Sequence, residues 1–475
     1  MSQTPVRIDG ESVTTDESME IYAPYDGKLV GEVPACGAEH VDRAVAAATR
    51  ALREERLPAW RRAEILDRAA EQLADDEVAE DFARTIALEA AKPINTARVE
   101  VSRAVSTFRF SAAVCRTVAG EVLNLDASQA GEGRLGFGLR MPIGVVGAIT
   151  PFNFPLNLVA HKLAPAIAAG CPVVLKPAHQ TPLTGIKLAE LLIDRCGLPA
   201  SWLHVVTGHG SEVGAALVDH DDVAMITFTG SPPVGWGIRA SAPRKKVSLE
   251  LGNNSPVIIQ PDGDWQGAAK KIAAAGNSHA GQSCISVQRV FVHRDVADDF
   301  TAALVEAVEA LVVGDPLDDA TQVSTLIDEE NRDRVAGWID EAVAAGATVA
   351  TGGKVDDAGV LQPTVLTDVS GDMKVCAEEV FGPVVGVATY DDVEEALRAA
   401  NDTKYGLHAG IFTQDLAVAR RAIEELDFGG VVVNDVPTWR ADQMPYGGLR
   451  DSGNTREGPL YSVLEMTELR SAVFS

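Results

Sequence analysis

The chain has 475 residues, of which 46% are hydrophobic, and a formal net charge of −27 at pH 7. A chain of this length is expected to form two or three domains rather than one small core. The charge argues against nucleic acid and anionic membranes as partners, and no run of about 18 or more apolar residues predicts a membrane span.

The N-terminus and the cysteines indicate the compartment. Residues 1–16 are polar and acidic, without a basic region followed by an apolar core, so no secretory signal is predicted and a cytoplasmic location is expected. The six cysteines are scattered without a CxxC pair. Neither a metal site nor a redox dithiol is therefore predicted, and every cysteine except Cys284 is expected to be reduced and buried.

The basic residues are unevenly divided, with 12 lysines and 29 arginines among the 41. A heavily acidic, lysine-poor surface resembles that of proteins from salt-accumulating (halophilic) microbes, in which dense salt screens the self-repulsion. An acidic protein of an ordinary cytoplasm has the same composition, so both interpretations stay open.

The first third of the chain is predicted to be mainly helical. Residues 38–56 carry apolar side chains at three-to-four spacing, which predicts an amphipathic helix, and helical patterns continue through about 58–118. Residues 134–141 then alternate with a period of two, which predicts a β ribbon.

From residue 144 to residue 251, short apolar runs alternate with helical patterns. Strands are predicted at 144–150, 172–176, 203–207, 223–228 and 247–251, and helices at 156–169, 182–196, 211–218 and 232–240. Near-continuous apolar strands separated by helices indicate a parallel sheet covered on both faces.

A second α/β series occupies about 256–450. Its predicted strands are 257–260, 287–292, 384–389 and 430–434. The tail, 469–474, is predicted to be a strand that pairs with the 134–141 ribbon, either within the chain or across subunits.

Polar or glycine-rich turns follow all five strands of the first series. They are Thr150–Asn153, Lys176–His179, Gly208–Gly210, Phe228–Ser231 and Glu250–Gly252. Parallel sheets bind ligands at the carboxyl ends of their strands, so these turns are expected to form one crevice. The turn after Phe228 opens a helix whose N-terminus would favour a pyrophosphate, although an ordinary strand-to-helix turn has the same pattern.

Cys284, Glu250 and Asn153 are the candidate catalytic residues. A thiol, a carboxylate and a side-chain amide are the nucleophile, the base for water and the oxyanion donor of acyl-thioester chemistry. Taken singly, Glu250 could be an ion-paired carboxylate and Asn153 a turn residue.

These residues lie in motifs that resemble those of the aldehyde dehydrogenase superfamily over nearly the whole chain. The motifs are PFNFP (151–155), KPAHQTP (176–182), FTGS (228–231), LELG (249–252), GQSC (281–284), EEVFGPV (378–384) and MPYGGLRDSG (444–453). The segment 434–445 further resembles the branch that contains lactaldehyde, phosphonoacetaldehyde and non-phosphorylating glyceraldehyde-3-phosphate dehydrogenases.

The resemblance implies an α/β subunit of three parts. An NAD(P)-binding domain with a Rossmann-type parallel sheet is expected at 1–120 and 143–252, and a catalytic α/β domain at 253–452. A small β bridging element is expected at 121–142 and 453–475, where it would form a homodimer or homotetramer.

The same resemblance assigns roles to single residues. Cys284 would be the nucleophile, Glu250 the general base, and Asn153 with the Cys284 backbone N–H the oxyanion hole. Lys176 and Glu379 would hold ribose hydroxyls. The residues expected to bind NAD or NADP are Thr150, Pro151, Phe152, Lys176, His179, Gly210, Gly214, Phe228, Gly230, Ser231, Leu251, Glu379 and Phe381. Of these, Ser231 would contact the pyrophosphate and Phe381 the nicotinamide face.

The chain departs from the family pattern at four positions. His179 stands where NAD-preferring relatives commonly carry a glutamate that repels a 2′-phosphate, so NADP is expected at least to be tolerated. Asn253 replaces a glycine after the base, and Arg450 and Thr455 replace a lysine and a glycine near the C-terminus. Neither Arg450 nor Thr455 is expected to abolish the chemistry, and the sequence leaves the effect of Asn253 open.

The expected substrate is a short aldehyde, either neutral or bearing a phosphate or carboxylate. By the resemblance, Arg103 and Arg440 border the substrate tunnel, where two guanidinium groups would suit an anion. Both could equally be surface arginines. Two other functions stay open: a CoA-acylating semialdehyde dehydrogenase, which Glu250 argues against, and a catalytically silent binding protein on the same scaffold.

Overall fold

The computed structural model describes residues 3–475, and it contains the predicted helices in the first third of the chain. The α-helices are α1 Ala38–Glu54, α2 Ala59–Leu73, α3 Asp76–Ala90, α4 Ile94–Thr117, α5 Asn157–Ala169, α6 Pro182–Glu190, α7 Ala215–Asp219, α8 Pro232–Ser241, α9 Trp265–Asn277, α10 Ala297–Glu309, α11 Glu329–Ala344, α12 Lys374–Ala377, α13 Val393–Asn401, α14 Leu416–Glu425 and α15 Pro459–Glu465. In α1, Val41, Val45 and Ala48 are buried, as their spacing predicts.

The strands follow the predicted alternation and add several short ones. They are β1 Val6–Ile8, β2 Glu11–Val13, β3 Ser18–Tyr22, β4 Leu29–Pro34, β5 Glu121–Leu123, β6 Leu135–Pro142, β7 Val145–Ile149, β8 Val173–Lys176, β9 Leu203–Val205, β10 Val223–Thr229, β11 Lys246–Glu250, β12 Pro256–Ile259, β13 Arg289–His293, β14 Thr348–Thr351, β15 Thr364–Thr367, β16 Val384–Tyr390, β17 His408–Phe412, β18 Gly430–Val433 and β19 Thr467–Phe474.

Two predicted helices are partly π-helical. The helix predicted at 182–196 is an α-helix to Glu190 and a π turn from Leu191 to Arg195. The helix predicted at 211–218 begins with a π turn over Gly210–Gly214, and α7 follows it.

The first large sheet has five parallel strands in the order β11-β10-β7-β8-β9. The chain runs from β7 through β8 to β9 on one side of β7. It then crosses to β10 and β11 on the other side, so the sheet is doubly wound. Ligands bind such sheets outside the carboxyl ends of the strands, near this reversal. The predicted parallel sheet is therefore confirmed, and its carboxyl edge is the place to look for a site.

The second large sheet has seven strands in the order β14-β15-β16-β13-β12-β17-β18. All neighbouring pairs are parallel except β14 with β15, which are antiparallel. The five residues between β11 and β12 connect the two large sheets directly. Glu250, the last residue of β11, thus lies where the two sheets meet.

A three-stranded antiparallel sheet, β19-β6-β5, is formed by the tail and the predicted ribbon. The predicted pairing is confirmed, with Leu469 opposite Arg140. Within the chain, Ile143 N–H donates to the carbonyl of Met466 and so brings the start of β19 beside the end of β6.

Helix α5 is buried along its whole length. Its sequence is apolar apart from Asn157, His161 and Lys162, and all three of these polar side chains are at most 1% exposed. Polar groups with such burial require partners, and in this helix they face the candidate site described below. Among residues 3–475, no helix combines the length and the apolar character that crossing a bilayer would need.

Candidate active site

A cavity of about 950 Å³ lies at the carboxyl edge of the five-stranded sheet. Its lining includes every residue predicted to bind the cofactor, namely Thr150, Pro151, Phe152, Lys176, His179, Gly210, Gly214, Phe228, Gly230, Ser231, Leu251, Glu379 and Phe381. Cys284, Glu250 and Asn153 line the same cavity. The sequence prediction of one crevice is therefore confirmed. Arg103 and Arg440, the predicted substrate residues, lie outside the lining of this cavity.

Cys284 is half-buried at the cavity wall, whereas the other five cysteines are buried as predicted. The turn before it is left-handed at His279 (φ 50°), Ala280 (φ 52°) and Gly281 (φ 71°). A side chain at Gly281 would meet the carbonyl oxygen of Gly382 at 2.1 Å, so glycine is required there. This tight turn presents the thiol to the cavity.

The pKa of the Cys284 thiol is raised to about 12, mainly by burial. A hydrogen bond to the hydroxyl of Tyr446, 2.8 Å from Sγ, opposes that rise, and so does the charge of Arg440. Glu379 and Glu250 act in the other direction, because a nearby negative charge disfavours a thiolate. Tyr446 was not predicted from the sequence.

Asn153 is 3% exposed and follows β7 on the loop that faces Cys284. Its amide nitrogen donates to the main-chain carbonyl of Gln282 at 2.8 Å. An amide nitrogen has two hydrogens, so one can fix the orientation of the group while the other remains to serve an oxyanion.

Glu250 is 4% exposed, and neither of its carboxylate oxygens has a hydrogen-bond partner within the described chain. Burial and then the nearby charge of Glu457 raise its pKa well above the usual range of a glutamate. The interpretation of Glu250 as an ion-paired carboxylate is wrong. A buried carboxylate without a hydrogen-bond partner destabilises the folded protein. Such a group therefore marks a candidate catalytic residue.

Behind Glu250 lies a second buried carboxylate, Glu457, that is surrounded by cations. Arg440 donates to it at 2.9 Å, and the ammonium of Lys162 lies 3.7 Å from it. Burial opposes ionisation of Glu457, but His161, Lys162 and Arg440 lower its pKa to about 2. The cations therefore favour the anionic form of Glu457, whereas burial and the charge of Glu457 disfavour the anionic form of Glu250.

Sequence reasoning missed Glu457 and Lys162. The signal that could have revealed Lys162 is its position in an otherwise apolar, buried helix. A charge in such a place is retained only with partners. Glu457 carries no comparable local signal.

The two predicted substrate arginines differ in environment. The side chain of Arg440 is 4% exposed, and its guanidinium lies 3.8 Å from the centroid of the Tyr446 ring. The interpretation of Arg440 as a surface arginine is therefore wrong. The side chain of Arg103 is 25% exposed and pairs with Asp442 at 2.9 Å. His161 lies 3.2 Å from Asp442 and 3.5 Å from the Arg440 guanidinium. The two arginines therefore border one polar cluster.

The sequence model of the aldehyde dehydrogenase family matches residues 11–472. The chain belongs to the aldehyde dehydrogenase family. Membership makes it an oxidoreductase that acts on aldehydes with NAD or NADP. The chain is 46% identical over 475 residues to a 3-sulfolactaldehyde dehydrogenase from Priestia aryabhattai, a match that covers 100% of this chain and 98% of that relative.

Two solved structures of family members are similar in fold. Glyceraldehyde-3-phosphate dehydrogenase GapN from Methanocaldococcus jannaschii, complexed with NADP, has a TM-score of 0.92 and 38% identity, covering 97% of this chain and 100% of that chain. Aldehyde dehydrogenase 21 from Physcomitrella patens, in complex with the reaction product succinate, has a TM-score of 0.94 and 37% identity, covering 99% and 98%.

The cavity of this aldehyde dehydrogenase family member fits a dinucleotide. Lys176, at the end of β8, is buried without a carboxylate partner, and its ammonium donates to the carbonyl of Pro177 at 3.0 Å. Burial lowers its pKa to about 8. The hydroxyls of Thr150 and Thr229 are also buried without a partner among the described residues. A buried ammonium without a carboxylate partner and two unpaired hydroxyls in a cavity of this size suit a polar, anionic ligand.

His179 lines the cavity, and its ring lies 5.6 Å from that of His209. Burial followed by the charge of Lys176 lowers the pKa of His179. Phe381, also in the lining, packs edge-to-face against Phe152 at 5.8 Å. Glu379 accepts the backbone N–H of Asn253 at 3.0 Å, and burial raises its pKa to about 7.

The remaining departures from the family pattern have structural roles here. The Asn253 side chain donates to Ser255 and to the carbonyl of His408, and so fixes the loop after Glu250. Arg450 donates to main-chain carbonyls of three loop residues, Asn401, Thr403 and Asp427. Thr455 accepts the hydroxyl of Ser248 at 3.3 Å.

Proposed function

We propose that the protein oxidises a short anionic aldehyde to its carboxylic acid through a thioester on Cys284. The observation that carries this proposal is that Cys284, Glu250 and Asn153 line one cavity with the predicted cofactor residues. A nucleophile, a base and an oxyanion donor in one cavity fulfil the geometric requirement for acyl transfer to water.

In the first step the Cys284 thiolate attacks the aldehyde carbon, and the carbonyl oxygen becomes an oxyanion. Asn153 Nδ2–H and the backbone N–H of Cys284 donate to that oxyanion. The substrate carbon then gives up a hydride, for which a bound nicotinamide supplies the acceptor chemistry. The carbonyl re-forms, and the acyl group remains on Sγ as a thioester.

In the second step Glu250, in its ionised form, takes a proton from water. The resulting hydroxide adds to the thioester carbon, and the C–S bond breaks to release the acid and the thiolate. The buried, unpartnered carboxylate of Glu250 supports water rather than CoA as the acyl acceptor. A carboxylate that already had a strong partner would be a weaker base.

For the cofactor, we infer that Lys176 and Glu379 hold ribose hydroxyls, Ser231 the pyrophosphate and Phe381 the nicotinamide face. His179 lines the cavity, and by the family resemblance it would lie near the adenosine ribose. A histidine there does not repel a 2′-phosphate as a glutamate would, which supports the use of NADP.

For the substrate, we infer a three- or four-carbon aldehyde with a terminal sulfonate, phosphate or carboxylate. The names of the similar proteins support this, because sulfolactaldehyde, glyceraldehyde 3-phosphate and succinate share a short chain and an anionic group. The guanidinium of Arg103, which is 25% exposed and pairs with Asp442, is the cation that we infer for the substrate anion.

We further infer the domain division from the sheets. The five-stranded sheet would belong to an NAD(P)-binding domain (1–120 and 143–252), and the seven-stranded sheet to a catalytic domain (253–452). The β19-β6-β5 sheet (121–142 and 453–475) would join subunits, because its exposed side chains include Val122, Leu139 and Phe474.

The test is a panel of short aldehydes with each cofactor, at low and high KCl. We expect NADPH formation with sulfolactaldehyde, succinic semialdehyde or glyceraldehyde 3-phosphate, and none with Cys284→Ala. Arg103→Ala should raise KM for the anionic aldehyde and leave KM for a neutral aldehyde unchanged. Arg109→Ala is the matched control, because Arg109 is exposed on the same helix. Acyl-CoA formation on adding CoA, or no turnover with any aldehyde, would overturn the proposal.

A further inference from the structure

The hydroxyl of Tyr446 lies 2.8 Å from Sγ of Cys284, and the tyrosine is 3% exposed. Its main chain is fixed by a bridge with Glu457, in which each residue donates its N–H to the carbonyl of the other. The contact with the thiol therefore comes from a residue whose backbone N–H and carbonyl are both hydrogen-bonded to Glu457.

The ring of Tyr446 is held as firmly as its backbone. The Arg440 guanidinium lies 3.8 Å from the ring centroid, and the ring of His408 packs against it with centroids 4.9 Å apart. A cation over the face and an aromatic neighbour leave the ring little freedom to turn. The hydroxyl therefore keeps its direction toward Sγ.

We propose that Tyr446 is a further catalytic residue, whose hydroxyl donates a hydrogen bond to Sγ of Cys284 and so favours the thiolate that attacks the aldehyde. This inference rests on the proposed function. In the ionisation the S–H bond breaks and the proton passes to water in the cavity, while the O–H bond of Tyr446 stays intact. The electron pair left on Sγ then forms the C–S bond with the substrate.

The surrounding charges explain why the thiol needs this donor. Burial disfavours the thiolate, and the carboxylates of Glu250 and Glu379 disfavour it further. Arg440 acts in favour of the thiolate, but its ion pair with Glu457 already engages it. A hydrogen bond to an ionised acceptor is stronger than one to a neutral acceptor, so the tyrosine stabilises the thiolate more than the thiol.

The tyrosine itself is suited to be the donor rather than the acceptor. Burial raises the pKa of Tyr446 well above its usual range, and the neighbouring Cys284 raises it further. Both effects favour the neutral phenol, which is the form that can donate.

The test measures alkylation of Cys284 by iodoacetamide in the full-length enzyme, with neither aldehyde nor cofactor, from about pH 6 to about pH 10. The label is quantified on the peptide that contains Cys284, and Cys284→Ala supplies the background. In Tyr446→Phe, which keeps the ring, we expect alkylation about tenfold slower at each pH, equivalent to a thiol pKa higher by about one unit.

The matched control is Tyr390→Phe, because Tyr390 is also buried and loses a hydroxyl that is hydrogen-bonded to Ile259 and Gln260 away from the site. Its alkylation profile should coincide with that of the unmodified enzyme. A folded Tyr446→Phe whose profile also coincides would overturn the inference.

A second variant keeps the inference open to refutation if Tyr446→Phe does not fold. Replacing Tyr446 by 3-fluorotyrosine makes the phenol a stronger donor, so the profile should move to lower pH, and an unchanged or opposite shift would overturn the inference. Because alkylation needs no aldehyde, this result is independent of the turnover panel that tests the proposed function.

Discussion

The side-chain amide of Asn153 donates a 2.8 Å hydrogen bond to the main-chain carbonyl of Gln282. This bond connects the loop that ends β7 of the five-stranded sheet to the turn that carries Cys284. It orients the amide toward the thiol before any substrate is present. Such preorganisation is the main requirement for stabilising an oxyanion, because the donor then needs no rearrangement during the reaction.

Replacing Asn153 by alanine removes the donor and should lower kcat by about 10²–10³, equivalent to about 3–4 kcal/mol of transition-state stabilisation. Affinity for NADP, measured by fluorescence titration, should not change. The control is Asn401→Ala, since Asn401 bonds the carbonyl of Glu425 far from the cavity. A loss of kcat below threefold in Asn153→Ala would argue against the oxyanion role.

Glu250→Gln should separate the two steps of the reaction. Thioester formation does not require the carboxylate, so a burst of about one NADPH per active site should persist in rapid mixing. Steady-state turnover, which requires activation of water, should fall by about 10²–10⁴. A missing burst together with normal turnover would contradict the two-step scheme.

The pH dependence of hydrolysis follows from the raised pKa of Glu250. The active form is the ionised carboxylate, so the slow phase after the burst should accelerate as pH rises through that raised pKa. Glu457→Gln removes a neighbouring negative charge, which lowers the pKa of Glu250 and should move the rising limb to lower pH. Measuring the slow phase against pH in both proteins tests this, and a shift to higher pH would be the opposite of the expected sign.

The crevice was predictable because its residues follow strands of one parallel sheet. Apolar runs reveal such strands, and the polar turns after them must meet at one edge. Lys176 and Ser231 were located in this way, without knowledge of any contact. The motifs then distinguished Cys284 from the five buried cysteines.

The surroundings of Glu250 were not predictable in the same way. Glu457 and Lys162 meet only because the C-terminal segment folds back on helix α5, and no local periodicity reports a contact over such a sequence separation. Tyr446 belongs to a recognised motif, but the approach of its hydroxyl to Sγ depends on side-chain packing. Pairing of β19 with β6 likewise depends on tertiary geometry.

His179→Glu should change the cofactor preference. A carboxylate beside the expected 2′-phosphate would repel it, so the Kd of NADP should rise by about tenfold or more while that of NAD changes little. Fluorescence titration with both cofactors measures this without turnover. His220→Glu, which introduces the same charge at a half-buried position outside the cavity lining, is the matched control. Equal effects on the two cofactors would contradict a role in 2′-phosphate tolerance.

Among the interactions that support the Asn153 loop, the Lys92–Glu100 ion pair should cost the most stability when one partner is replaced. Both side chains are 0% exposed, and Glu100 also accepts the N–H groups of Leu156 and Asn157, at the start of helix α5. Glu100→Ala would leave a buried ammonium unpaired and two N–H groups without an acceptor. Losing one partner of such a pair costs about 3–5 kcal/mol.

Because these N–H groups follow the Asn153 loop directly, Glu100→Ala should also lower kcat at temperatures where the protein stays folded. Urea unfolding and turnover of the same sample measure both effects. Glu80→Ala is the control, since Glu80 and its partner Arg98 are each 39% exposed and an exposed pair contributes at most about 1 kcal/mol. An equal loss in the free energy of unfolding for the two variants would show that the buried pair does not specially stabilise the loop. The orientation of Asn153 would then depend on its hydrogen bond to Gln282 alone.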